Sequence, residues 1–381
     1  MRVLYILHRY HTNQIEIMHG WKEHGDELCM LTWGTNGIED YTYVKPIVVG
    51  YSRLFNIIDD FYVNHLKKNE PFAKDKKLRW GIPPMRKLKK YISDFNPDVV
   101  ILREKNLYTM MTYSYCKRKG YKTILFNLSP VWAEPEYFKN DWKHRLVNKL
   151  VPKYRITPTN QIGNDLSGKV KDENAFWAPF IVKPMCSPAE KKYFADGNIN
   201  ILEIGKYQKR KNHYMMVNVI KRLVRKYPNV RLTITGEISD SFHQDYYEKL
   251  KKYIENENLT EYITLKTNIS YYEAGEEYKK ADIYVLASTG EPASITVIES
   301  MAYSVLSLSG TDNGTADYIR DEETGFVYKD SDEDDLFDKL DKLIENQDMI
   351  PIMGKAAYED ICNRFQFDSY YKIIDEILNK I

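Results

Sequence analysis

The sequence predicts an α/β protein of two Rossmann-like domains, each a doubly wound parallel sheet. Three observations carry this. Short apolar runs alternate with stretches of helical period along most of the chain. The series begins twice, once at the first residues and again near residue 199. The length, 381 residues, exceeds one ordinary domain and suits two. Strands alternating with helices build parallel βαβ units, and right-handed crossovers wind these into such sheets.

In the first half, "RVLYIL" reads as a buried strand and residues 15–24 as a helix. "LCMLTW", "PDVVILR" (97–103), "YKTILFN" (121–127) and "KYRITPT" (153–159) follow as strands. Residues 178–198 have no periodicity and two further prolines after Pro179, as a linker should. The second series opens with "INILEIGK". A helix follows in which Met216, Val219, Ile220 and Leu223 recur at helical spacing. "VRLTITGE", "ITLKTNI", "DIYVLAS", "VLSLSG" and "TGFVYKD" are its later strands, with helices between them. A helix closes the chain in "FDSYYKIIDEILNKI". The expected domains are 1–182, with the helix at about 365–381 packing on it, and 183–364. Two such sheets facing each other would form a cleft, with ligands at the carboxyl ends of the strands.

Composition sets bounds. Hydrophobic residues make up 43% of the chain, enough for a sizeable core, and the net charge of +1 points to no special partner. The apolar start "MRVLYIL" is too short to span a membrane, and no apolar run of about 18 residues occurs, so a cytoplasmic protein is expected. Cys29, Cys116, Cys186 and Cys362 are scattered without a CxxC pair, as reduced thiols would be. Charge is uneven, however. Residues 65–91 carry ten Lys/Arg against Glu70 and Asp75, a local +8, with Phe72 and Trp80 interleaved. Such a segment can meet anionic membrane at the cytoplasmic face or a polyanionic substrate, or be a solvated surface. No recognition motif accompanies it that would indicate nucleic acid.

The chemistry gathers in the second half. In "STGEPASITVIESMA" (288–302), Glu291 follows a strand and Glu299 falls in the second turn of a helix read over 295–303. The turn between them leads into a helix start, whose free N–H groups and dipole favour an anion. Glu299 could accept from a ribose diol and Glu291 from sugar hydroxyls. The plainer alternative is an acid favouring the helix dipole plus a solvated helix glutamate. In "EIGKYQKRKNH", Lys206 follows the strand-end Gly205 and Lys211 comes five later, a pair suited to a diphosphate. Lys209 and Arg210 are equally basic, so a plain basic loop is the competing reading. Gly236 would allow close ligand approach. Gly314 would line a pocket or simply turn the chain.

These motifs, in this order, resemble the donor domain of retaining GT-B glycosyltransferases of family 4 (glycosyl transferases group 1). The matches are "IGKYQKRKN", "LTITGE", the Glu-x7-Glu of "ADIYVLASTGEPASITVIESMA", and "GTADYIRDEETGFVY". The resemblance covers roughly 200–381; the first half matches only by its strand–helix pattern. It implies that Glu299 binds the nucleotide ribose and Glu291 contacts the donor sugar. Lys206 and Lys211 would clamp the diphosphate. Backbone amides at Ala293, Ser294 and Ile295 would contact sugar or phosphate, and the 266–269 stretch, with Asn268 and Ile269, would line the base pocket. No metal or other cofactor is implied. The partners would be a nucleotide-sugar, UDP-linked, and a sugar, glycolipid or anionic-polymer acceptor in surface-polysaccharide or wall-polymer assembly.

The chain departs from the pattern in places. Lys206 stands where the family has Arg, which loses a bidentate grip. Ala293-Ser294 replaces Phe-Gly. "HRYHTNQIE" replaces the first Gly-Gly loop, and Asn127 stands where a His is common, so the acceptor side would rest on His11 or Asn127. "GNDLSGKV" (163–170) imitates a P-loop but has Val170 where Mg²⁺ needs Ser/Thr, and it also reads as helix. The Asp-x-Asp in "DSDEDDL" (330–336) reads as the cap of the next helix. No G-x-G-x-x-G occurs, which disfavours a dinucleotide oxidoreductase. The function expected is sugar transfer with retention. The alternatives are another GT-B enzyme (a sugar phosphorylase or nucleotide-sugar epimerase) or a non-catalytic GT-B partner subunit.

Overall fold

The computed structural model describes residues 1–35, 41–66, 81–138, 141–163 and 165–381. The chain divides into two units. One comprises Met1–Pro158, Gly168–Ile181 and Phe367–Ile381; the other comprises Thr159–Ser167 and Val182–Gln366.

The first unit runs β1 (Arg2–Leu7), α1 (Ile15–Glu23), β2 (Glu27–Thr32), β3 (Ile47–Val48), α2 (Arg53–Phe61), α3 (Met85–Phe95) and β4 (Val99–Arg103). It continues with α4 (Leu107–Lys119), β5 (Lys122–Phe126), β6 (Trp132–Ala133), α5 (Trp142–Lys149), β7 (Arg155–Thr157), β8 (Val170–Lys171) and β9 (Ala175–Trp177). Its sheet is parallel throughout, in the order β3-β2-β1-β4-β5-β7-β9; β6 and β8 form a separate antiparallel pair. β1 and β4 are buried along almost their whole length, as strands covered on both faces must be, which explains their unbroken apolar runs. Leu88, Ile92, Tyr108 and Cys116 close over Leu4, Ile6, Val100 and Leu102 in one core cluster. The C-terminal helix Phe367–Leu378 belongs to this unit, where Phe367 meets Trp21 edge-on with ring centroids 5.1 Å apart.

The second unit runs β10 (Ile199–Ile204), α6 (His213–Leu223), β11 (Val230–Gly236), α7 (Ser241–Asn256), β12 (Ile263–Thr267), α8 (Tyr271–Lys280) and β13 (Ile283–Leu286). Then come α9 (Thr296–Ala302), β14 (Leu306–Gly310), β15 (Gly325–Tyr328), α10 (Glu333–Glu345) and α11 (Met349–Arg364). The sheet order is β12-β11-β10-β13-β14-β15, again parallel. The helical stripe of Met216, Val219, Ile220 and Leu223 is fully buried against Ile201, Leu232 and Ile234. The segment 182–198 is anchored by Lys191. Its buried ammonium donates to the carbonyls of Tyr278 (3.1 Å) and Lys279 (2.8 Å), which end α8. Burial lowers this ammonium to about 8.

Several expectations need correction. α9 begins at Thr296, so Glu299 lies in its first turn, not its second. "GNDLSGKV" has no helix in its described residues, and Val170 opens β8. The Asp-x-Asp run does start a helix: Asp332 caps α10 by accepting from the N–H of Asp335 at 3.1 Å. Most of the basic 65–91 stretch, 67–80, lies outside the described residues. Among the described residues, no helix is long and apolar enough to cross a membrane, and no group of three or more His, Cys, Asp or Glu is arranged to hold a metal ion.

Gly20 tests how the C-terminal helix docks. A Cβ there would stand 2.1 Å from the Phe367 ring. Gly→Ala within an exposed helix ordinarily gains up to about 1 kcal/mol, whereas overpacking a core costs about 1–3 kcal/mol. Gly20→Ala should therefore lower Tm by several degrees in a thermal melt. An unchanged or higher Tm would mean that the ring gives way freely.

Candidate functional site

In an open parallel sheet, ligands bind outside the carboxyl ends of the strands, where the strand order reverses. In the second unit that point lies between β10 and β13. The loops leaving these two strands are 205–212 and 287–295, which hold the residues singled out from the sequence. They are tied directly by the Thr289 N–H, which donates to the Arg210 carbonyl at 2.9 Å.

Glu291 is the centre of the site. Its Oε2 accepts from Lys211 Nζ at 2.7 Å and from Arg210 Nη1 at 2.5 Å. Burial alone would raise this carboxyl; the Lys211 and Arg210 charges outweigh it and hold the group below its ordinary value. Lys211 is nearly buried, while Arg210 is half exposed. Gly205 makes room for the lysine stem, since a Cβ there would come within 2.8 Å of Lys211 Cδ. The two lysines expected to act as a pair are thus separated. Lys206 turns to Glu237 at 3.0 Å, and Arg210, one of the equally basic neighbours behind the plain-loop reading, joins Lys211 on Glu291.

The Glu291 loop is held from beneath. Asn313, fully buried, donates to the Ser288 carbonyl (2.9 Å) and accepts from the Glu291 N–H (3.0 Å). Asp312 accepts from the Gly290 N–H, and burial together with Asp330 pushes its carboxyl up. Gly314 donates to the Glu291 carbonyl at 2.8 Å, and a Cβ on it would meet the Pro292 carbonyl at 2.1 Å. This glycine seats the loop rather than lining a pocket. Thr159 hydrogen-bonds the Pro292 carbonyl at 2.7 Å, and Asn160 and Gln161 both donate to Asp317. These contacts place 159–167 in the second unit despite its position in the first half of the sequence.

The remaining predicted donor residues are also located. Ser294 is buried, and its hydroxyl meets Thr296 Oγ1 at 2.7 Å, which in turn accepts from Tyr284 Oη at 2.6 Å. Ala293 and Ile295 flank it, half buried, and Ile295 is the N-cap of α9. Glu299 accepts from Tyr278 Oη at 3.1 Å, and burial raises its carboxyl to about 7. Gly236 does not open an approach for a ligand: a Cβ there would meet the Gly205 carbonyl at 2.5 Å and the Tyr207 ring at 2.7 Å. Asn268 (φ 51°) accepts from the Ile238 N–H at 2.7 Å, joining the loops after β11 and β12, with Ile269 beside it half buried.

Two residues were missed altogether. Glu203 on β10 and His213, the first residue of α6, are both buried and meet at 2.8 Å, while His213 Nε2 contacts the Lys206 carbonyl at 3.2 Å. A glutamate between Leu202 and Ile204 in a buried strand was the available signal. An open depression of about 690 Å³ beside the loops shares Arg210 and Thr289 with the site but includes neither Glu291 nor Glu299.

In the first unit, Asn127 is buried and its Oδ1 accepts from Arg155 Nη1 (3.1 Å) and the Ser129 N–H (3.3 Å), so it braces the strand ends. His11 Nε2 lies 2.9 Å from His8 Nε2 and 3.1 Å from Arg9 Nε, just beyond β1.

The architecture is the α/β GT-B type, with two parallel-sheet units. Residues 189–360 match the family model described as glycosyl transferases group 1. Among curated proteins, the chain is similar to a GDP-Man:Man(3)GlcNAc(2)-PP-Dol alpha-1,2-mannosyltransferase of Dictyostelium discoideum, 26% identical over 33% of this chain and 27% of that protein. It is also similar to a trehalose synthase of Thermococcus litoralis, 25% identical over 47% of this chain and 43% of that protein. The matches thus span between a quarter and a half of these relatives' lengths. The crystal structure of Anabaena HepE in complex with UDP superposes over the full length of both chains with a TM-score of 0.72 at 12% identity, a likeness of fold.

Glu299 gives a signed pH test. Its value in the fold, about 7, lies above the ordinary 4.5, so the fold prefers the protonated carboxyl. That contribution is full below about pH 4.5 and is lost as the pH rises through about 7. Glu299→Gln, a neutral mimic, should raise Tm at pH 8 but not at pH 5, by on the order of 1 kcal/mol after allowance for solvent screening. Equal shifts at both pH values would contradict this.

Proposed function

We propose that the chain transfers a sugar from a nucleotide-sugar, UDP-linked, to an acceptor hydroxyl with retention. One observation carries the reading. At the strand-order reversal of the second unit, within the segment that matches the glycosyl transferases group 1 model, two cations converge on one carboxylate. HepE, which shares the fold, is a UDP complex, and that supports the choice of base.

In this reading Lys211 and Arg210 exchange Glu291 for the donor diphosphate and stabilise the charge of the leaving group, with Lys206 at the loop's outer edge. Freed of its cations, Glu291 faces the sugar, where an oxocarbenium-like centre develops. The leaving phosphate helps to take the acceptor proton on the same face. Glu299, once ionised, accepts from the ribose diol. The side chains themselves supply the charge, so the mechanism calls for no metal.

The acceptor side is assigned to the first unit, at the anionic surface of the cytoplasmic membrane. Leu54, Ile57, Phe61 and Leu66 form an exposed apolar stripe on α2 and the turn after it. The sequence then continues into the basic 65–91 stretch. Apolar area joined to basic charge is what an interfacial helix uses.

Two measurements check these roles. Glu291→Gln should cut turnover about 100-fold while changing UDP affinity less than about 3-fold. Glu299→Ala should weaken UDP binding about 10-fold or more. Equal losses of UDP affinity alone, measured by calorimetry, would overturn the assignment. In vesicle co-sedimentation, the protein should pellet with anionic but not neutral lipid. Ile57→Asp with Phe61→Asp should release it, as should high salt. Binding that ignores lipid charge and salt would refute the membrane assignment.

A further inference from the structure

The first unit's sheet reverses its order between β1 and β4, so its own ligand position lies where those strands end. Arg103 stands there as the last residue of β4. Only 6% of it is exposed, yet its Nε and Nη1 have no hydrogen-bond partner among the described residues. The guanidinium lies 4.4 Å from the centre of the Phe126 ring. Glu104 Oε1 comes to 3.4 Å of Nε without forming a hydrogen bond, and its side chain is half exposed. Burial works against the Arg103 charge, Glu104 supports it, and nearby Arg9 opposes it again.

A buried, underpaired guanidinium is costly and persists where something compensates. Two further features mark the spot. Glu104 has φ 62°, the left-handed region that a non-glycine residue occupies at a cost, and such strain gathers at binding sites. The Thr32 hydroxyl, where β2 ends, is likewise buried without a partner among the described residues. Thr32 pairs in register with Leu7 and Leu102 with Ile6, so Thr32 and Arg103 end neighbouring positions across β1. The orphaned groups on this face are a charged guanidinium and a hydroxyl that can donate, and what they lack is an acceptor of negative charge.

We propose that this strand end is an anion site, with Arg103 its anchor, and that the acceptor sugar or polymer unit presents a phosphate or carboxylate to it. Charge-assisted bonds from guanidinium to such oxygens are among the strongest in proteins. The anion site stands by itself; its role for the acceptor rests on the glycosyl-transfer reading above.

The test uses the full chain and thermal shift, with inorganic phosphate and glucuronate as probes against chloride at equal ionic strength. At about ten times Kd a bound anion should raise Tm by about 3 °C. Arg103→Met should fold, abolish the response and leave UDP binding intact. Lys211→Ala should keep it. The preferred probe tells phosphate from carboxylate. The proposal falls if wild type responds to neither probe, if Arg103→Met still responds, or if Lys211→Ala loses the response, since the anion would then sit at the donor loops. If UDP binds to none of the proteins but the Arg103-dependent response remains, the donor reading fails and the anion site stands.

Discussion

Parallel pairing is the constraint from which the site follows. In both sheets every strand runs the same way, so every strand delivers its following loop to the same edge. At the reversal between β10 and β13, two such loops become neighbours although their charged residues are 80 positions apart. Antiparallel strands would have sent them to opposite edges. The meeting of Lys211 and Glu291 is therefore a consequence of topology first and of side-chain chemistry second.

Close packing then decides which cation arrives. Gly205 and Gly236 lie so near each other that a single Cβ on either would collide with the 205–211 loop. Pressed down in this way, the loop lays Lys211 along Gly205 and leaves Lys206 on the outer side with Glu237. On the other strand, Asn313 and Gly314 fix the backbone of Glu291 by two hydrogen bonds, and Asn313 holds the Ser288 carbonyl by a third. Both halves of the ion cluster are thus positioned by backbone contact before any charge is counted.

This explains what the sequence could and could not reveal. Strand ends were legible because buried parallel strands are unbroken apolar runs, and "INILEIG" or "ADIYVLAS" cannot be much else. Glu291 and Glu299 were legible through their spacing after such a strand. Which of Lys206, Lys209, Arg210 and Lys211 would turn inward was not, because four adjacent cations have the same composition whichever way they face. Nor was the recruitment of Thr159, Asn160 and Gln161 to the second unit, since it depends on contacts to Pro292 and Asp317 that lie more than 130 residues away. Ser294 reads from sequence as a departure, a hydroxyl where the family has Gly. Its hydroxyl is taken up by the chain running through Thr296 to Tyr284.

The buried pair beneath the loop extends the argument. The Lys206 carbonyl can only accept, so His213 Nε2 must carry a proton to make that contact. On its other side the ring meets Glu203 at 2.8 Å. The pair lies in a place that water does not reach. An apolar pair would fill the same space but could not grip a carbonyl. The polar pair fastens the first residue of α6 to the backbone of Lys206, and so fixes the end of the loop opposite Lys211. The 205–212 loop is pinned at one end by Lys211 on Glu291 and at the other by His213. A ligand that draws Lys211 away from Glu291 would then meet a loop still held by its other anchor.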